Sequence, residues 1–244
     1  MSIEYNLQFA GMNFHINSVY DVLPRISGKF RTKERGDHLI VTTQEDIDAE
    51  RAYCCSNAHG IDESLLEAPD HHIETITILR KIADYVVDHN RILMHGSAIS
   101  IDGKGYIFTA VSGTGKSTHT KLLRSLFGER AVMVNDDKPF LHIEDGKAFV
   151  CGSPWMGKHR LGENIVVPLC GIYFLRRSEE NVLRQIKGDE ALPMMLAQCH
   201  RPVQPDNMMK TLELLDNLLM SVPLYDFGCN MDISAAELSS SVMK

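Results

Sequence analysis

Residues 109–123 read TAVSGTGKSTHTKLL, and the fold turns on how this stretch is read. Gly113 and Gly115 precede Lys116 and Ser117, and Leu122, Leu123, Leu126 and Phe127 then recur at helical spacing up to Gly128. The apolar run before it, YIFTA, reads as a buried strand. Strand, glycine-rich turn and helix in this order fit the phosphate-binding pattern G-x-x-x-x-G-K-[ST], with Ala110 in the place of the first glycine. The glycines let the backbone curl so that amide N–H groups face anionic oxygens, and the start of the helix adds its positive end. Ser112, Gly113, Thr114, Gly115, Lys116, Ser117 and Thr118 are therefore the expected nucleotide-binding residues. Lys116 is expected to face solvent or ligand and bridge the outer phosphates, and Ser117 to offer its hydroxyl to Mg²⁺.

Downstream, AVMVNDD (131–137) predicts a short buried strand that delivers Asp136 and Asp137 at its C-terminal end. In open α/β sheets ligands sit at that edge. Two adjacent carboxylates there are costly unless a cation such as Mg²⁺ neutralises them. One can serve the metal while the other takes a proton from an attacking hydroxyl. The expectation gives Asp136 the proton, and gives the metal to Asp137 with Ser117. Asp102-Gly103 and Asp145-Gly146 each join two apolar runs and predict tight hairpins, so the sheet should be mixed rather than wholly parallel. CGSPWMGKHR (151–160) reads as a loop shaped by Gly152, Pro154 and Gly157. Lys158 or Arg160 would stabilise phosphoryl charge there, with Arg176 and Arg177 as a second clamp. Trp155 would pack an acceptor or adenine, or else anchor the loop; His119 would pack or face solvent.

The motifs MHGSAIS (94–100), SGTGKST (112–118) and NDD (135–137), in order within residues 91–140, resemble the nucleotide-binding core shared by HPr kinase/phosphorylase and ATP-dependent phosphoenolpyruvate carboxykinase. The resemblance implies an α/β fold with a mixed-sheet P-loop core and flanking helices. It implies ATP and Mg²⁺ as cofactors, and it puts His95 near the transferred phosphate or the metal. Lys116, Ser117, Asp136 and Asp137 would hold ATP, Mg²⁺ and the acceptor's proton. With Arg160 from the loop, the expected catalytic set is His95, Lys116, Asp136 and Arg160.

Working outward, YNLQFAGMNFHI (5–16) and DHLIVTT (37–43) predict a small strand-rich lobe over residues 1–70, with the nucleotide-binding core at 71–244. The spacing predicts helices over 74–90, 189–200, 206–222 and 232–244, the last capped by Asp232, and strands at 169–177 and 223–230. A formal net charge of −7 disfavours nucleic acid as a partner. No apolar run approaches the ~20 residues of a membrane helix, and no signal peptide is apparent. Six cysteines without a CxxC pair suit a reduced cytoplasmic protein. His71-His72 and Cys199-His200 lack the second spaced pair that a metal site needs. The expected activity is transfer of the γ-phosphate of ATP to a hydroxyl, first of all a serine of a protein or peptide. A small-molecule kinase and a non-catalytic nucleotide-binding regulator are the alternatives, and a homo-oligomer stays open.

Overall fold

The computed structural model describes residues 2–56 and 67–243; within helix Gln44–Ser56 the side chain of Cys55, one of the adjacent cysteines, lies outside the described residues. The chain divides into two units, Met1–Tyr85 and Val86–Lys244. The sequence-based division falls at 70/71, because the helix from 74 onwards reads as part of the core.

In the first unit, β1 (Ile3–Phe9) and β2 (Met12–Ser18) form a hairpin through Ala10 and Gly11, and β3 (His38–Val41) runs parallel to β2. Helices α1 (Val22–Ile26), α2 (Gln44–Ser56) and α3 (Asp70–Val86) complete it. Glu74 of α3 is buried, and its carboxylate accepts from Val19 N, Tyr20 N and Thr42 Oγ1 at 2.6, 2.9 and 2.6 Å. Those bonds replace the water the carboxylate gave up. The expectation of a strand-rich lobe does not include α2. Among its described residues only Ile47 is a buried apolar, while Glu50 is held by Arg80 at 2.7 Å, so these residues form no apolar stripe to read.

The second unit is an α/β arrangement around a nine-stranded mixed sheet. Its strands are β4 (Arg91–Leu93), β5 (Ser97–Ile101), β6 (Lys104–Thr109), β7 (Ala131–Asn135), β8 (Phe140–Glu144) and β9 (Lys147–Cys151), followed by β10 (Val166–Arg177), β11 (Val182–Ile186) and β12 (Leu224–Cys229). Helices α4 (Lys116–Phe127), α5 (Gly188–Gln198), α6 (Pro205–Ser221) and α7 (Ile233–Ser240) flank it. Both expected hairpins form: Asp102/Gly103 have φ of 51° and 82°, and Asp145/Gly146 of 50° and 71°. Paired positive φ values let a two-residue turn follow the twist of its strands. The long strand β10 couples two halves of the sheet. Val166–Pro168 pair antiparallel with β9, whereas the stretch beyond pairs parallel with β6 and β12.

Period-two alternation explains why these strands read as unbroken apolar runs. Ile107, Ile172 and Phe174 point into one core with Leu215 and Leu218 of α6; Phe108, Tyr173 and Leu175 point into another with Leu123 of α4 and Ala235 of α7. Phe108, Tyr173 and Tyr225 stack in series at centroid distances of 4.8 Å. Such a pair adds ~0.5–1.5 kcal/mol beyond the area it buries.

Strand direction decides which turns gather at one edge. β6 is parallel to β10, β10 to β12, and β5 is antiparallel to both β6 and β7. The C-terminal ends of β12, β10, β6 and β7 and the N-terminal end of β5 therefore share one sheet edge. Among the described residues no helix is long and apolar enough to cross a membrane.

Candidate functional site

The glycine-rich turn leaves that edge from β6. Gly113 and Gly115 sit at φ 79° and 123°, with open space where a Cβ would stand, so backbone conformation rather than crowding calls for glycine. Thr114 Oγ1 donates to Val111 O at 2.9 Å, and Arg177, at the end of β10, donates to Gly113 O at 2.6 Å. Ser112, Ser117 and Thr118 are exposed. Lys116 departs from expectation. It is buried, and its Nζ donates to Ala110 O and Val111 O at 2.9 and 3.3 Å. The ammonium has folded back on the carbonyls of its own turn. Burial pulls its pKa down, and Asp137 is the largest influence opposing that.

The acidic pair leaves the same edge from β7. Asp136 is buried, and Ser97 Oγ donates to its Oδ1 at 2.6 Å. The same hydroxyl lies 3.0 Å from Thr120 Oγ1 in α4. Ser97 thus links the acidic strand end to the start of the helix. Asp137 turns outward: its Oδ1 is 2.8 Å from Lys138 Nζ and 3.5 Å from His95 Nε2, and its side chain is 32 % exposed. Asn135 fixes the turn, its Oδ1 accepting from Asp137 N and Lys138 N at 2.8 and 2.7 Å. Its Nδ2 donates to Ser153 O and Oγ, each at 3.0 Å.

His95 has its pKa pushed down to about 4, first by burial and then by the charges of Lys138 and Lys116, against the pull of Asp137. It is a neutral imidazole at neutral pH. The structure therefore brings His95, Lys116, Asp136 and Asp137 together, and it adds Lys138, to which the sequence-based expectation gave no role. Lys138 directly follows the Asp pair, and that adjacency was the available signal.

Loop 151–160 returns to this cluster through Ser153, whose Oγ donates to Lys138 O at 2.6 Å, and through Gly157. Gly157 has φ 67°, and a Cβ on it would stand 3.1 Å from Asp137 Cβ. Trp155 and Met156 are buried and anchor the loop. Lys158 and Arg160 are exposed at its tip, and among the described residues no contact ties either to the cluster. Arg176 is turned away onto Asp226 at 3.3 Å. His119 packs between Phe108 and Phe227. Among the described residues no three His, Cys, Asp or Glu side chains converge as a metal-holding group. The oxygens of Ser117, Asp136 and Asp137 are hard donors of the kind Mg²⁺ takes alongside substrate phosphates.

No family model matches the chain, and no curated protein matches it. Among solved structures it is similar to the HPr(Ser) kinase/phosphatase from Coxiella burnetii, at 15% sequence identity and a TM-score of 0.36, over 62% of this chain and 92% of that one. Likeness at that level bears on neither activity nor ligands.

Proposed function

We propose that this chain is a P-loop phosphotransferase that moves the γ-phosphate of ATP to a hydroxyl. The observation that carries the reading is the placement of a neutral His95 between the Gly113–Ser117 turn and an acidic strand end at one sheet edge. The turn's amides and the start of α4 would hold the phosphates. Lys116 would exchange the carbonyls of Ala110 and Val111 for phosphate oxygens, a short swing for its flexible stem. Mg²⁺, held by Ser117 and one Asp, would supply charge neutralisation at the phosphates.

Burial supports exchanging the two aspartate roles expected from sequence. Asp136 is buried and joined through Ser97 to the first turns of α4, on the side of Ser117, which suits the metal. Asp137 is a third exposed and lies beside His95, which suits an incoming hydroxyl. As the acceptor oxygen bonds to the γ-phosphorus, its proton passes to Asp137, the bond to the bridging oxygen breaks, and ADP departs. Lys138 offsets the carboxylate's charge, and neutral His95 adds no repulsion toward Mg²⁺. The acceptor is read as a serine of a protein or peptide. Labelled ATP and Mg²⁺ in a cell extract test this: one labelled product, absent with Lys116→Ala, is expected. No labelled product under any acceptor supply would overturn it.

A further inference from the structure

We infer that the base and sugar of the nucleotide occupy the cavity on the β10/β12 flank of the glycine-rich turn, so that the triphosphate runs from there across the turn to the Asp pair on β7. The inference rests on the phosphotransferase reading and assigns the half of the ligand which that reading leaves unplaced. The cavity has a volume of 430 Å³, within the ~300–1,000 Å³ range of small-ligand sites. One wall is Gly113, Thr114 and Gly115; another is Arg177 and Ser178 at the end of β10 and Cys229 to Met231 at the end of β12. Strand order across the edge is β12, β10, β6, β5, β7, so the turn separates this cavity from the acidic pair. A phosphate chain lying on the turn must leave it on one side or the other. The β7 side is taken by Asp136, Asp137, Lys138 and His95, which suit the reacting end. The nucleoside is left with the β10/β12 side.

The chemistry of the wall suits a planar heterocycle on a sugar. Arg177 is pinned by its bond to Gly113 O, which holds a guanidinium plane at the junction of cavity and turn. Such a plane stacks on an aromatic face without losing its hydrogen bonds. Met231 is 78 % exposed at the rim, an apolar thioether with no packing duty of its own and a good partner for an aromatic ring. The hydroxyls of Ser178 and Thr118 make no hydrogen bond among the described residues and face polar edges of a ligand. Asn230 is already committed, donating to Glu179 O and accepting from Asp232 N at 3.0 Å each, so it builds the wall and leaves recognition to its neighbours.

His119, which also lines this cavity, is held from behind: its Nε2 lies 2.9 Å from Ser239 Oγ and its ring packs between Phe108 and Phe227. A larger depression of 750 Å³, at Leu169, Cys170 and Tyr225, opens at the opposite end of β10 and touches none of these groups.

The test compares ATP with inorganic tripolyphosphate, both with Mg²⁺, by calorimetry on the full chain. The wild type is expected to bind ATP about tenfold or more tightly than tripolyphosphate. Met231→Ala, and Ser178→Leu which fills the cavity, should each shrink that advantage to about threefold or less. Tripolyphosphate affinity, which also reports an intact fold, should not move. Equal affinity of the wild type for the two probes overturns the inference and leaves the phosphate site standing. An ATP advantage that survives both substitutions overturns it as well. Failure of both probes to bind the wild type brings down the phosphotransferase reading itself.

Discussion

Gly157→Ala tests whether loop 151–160 positions the acidic pair. The residue sits at φ 67°, where an alanine costs ~1–2 kcal/mol of backbone strain. Its new methyl would also stand 3.1 Å from Asp137 Cβ, so Asp137 must give way by a few tenths of an ångström. Asp137 carries the contacts to His95 and Lys138, and a displacement of ~1 Å at a reacting group can cost ~10²-fold. A shift of a few tenths is therefore expected to slow transfer roughly tenfold. Gly103→Ala is the control: its φ is 82°, and nothing lies within 4 Å of the added Cβ. Both variants should lose about 2–4 °C of melting temperature per kcal/mol at this chain size. Only Gly157→Ala should slow the appearance of labelled product, with ATP affinity within about threefold of the wild type. Equal melting losses and equal, wild-type transfer rates in the two variants would refute the reasoning.

Other substitutions divide the remaining roles. Asp137→Asn should lower transfer by roughly 10²–10⁴-fold, as loss of a general base does, with little change in the Mg²⁺ needed for half-maximal rate. Asp136→Asn should raise that Mg²⁺ requirement; the opposite pattern restores the order expected from sequence. Ser97→Ala leaves the buried Asp136 short of its 2.6 Å donor and should cost ~1.5–3 kcal/mol in urea unfolding, and a loss under ~0.5 would mean water replaces the hydroxyl freely. Burial pushes the pKa of His119 from 6.5 down to about 4, so between those values the unfolded chain binds the extra proton and stability falls as pH falls. His119→Leu should flatten that slope by up to ~1.4 kcal/mol per pH unit, and an unchanged slope in denaturant titrations would remove His119 as its source.

Most of the sheet edge was legible because its signals are local. Asp-Gly pairs between apolar runs announce hairpins, and strands buried on both faces read as continuous apolar stretches, as β6 and β10 do. The glycine-rich turn and the Asp pair were legible for the same reason: each is a short motif at the end of a strand. Long-range closure was not. That Arg177 reaches Gly113, or that Ser97 joins Asp136 to α4, depends on pairing strands far apart in sequence. Arg160, chosen for its charge in a glycine-bordered loop, lies exposed at the tip, whereas Lys138 lies at the centre. Charge alone does not say which side of a turn a residue takes. The burial of Lys116 leaves no mark in the sequence because its partners are carbonyls, which every residue carries.

The central claim is that the turn from Gly113 to Ser117 holds the phosphates of a nucleotide. Calorimetric titration of the wild type and Lys116→Ala with ATP and Mg²⁺ addresses it directly, with circular dichroism confirming that the variant is folded. Among the described residues Lys116 Nζ hydrogen-bonds to two carbonyls of its own turn, so its removal should leave the fold in place. Loss of one or two charge-assisted hydrogen bonds, at ~1.5–3 kcal/mol each, predicts an affinity roughly 10²-fold weaker than that of the wild type. A folded Lys116→Ala that binds ATP as tightly as the wild type would contradict the account.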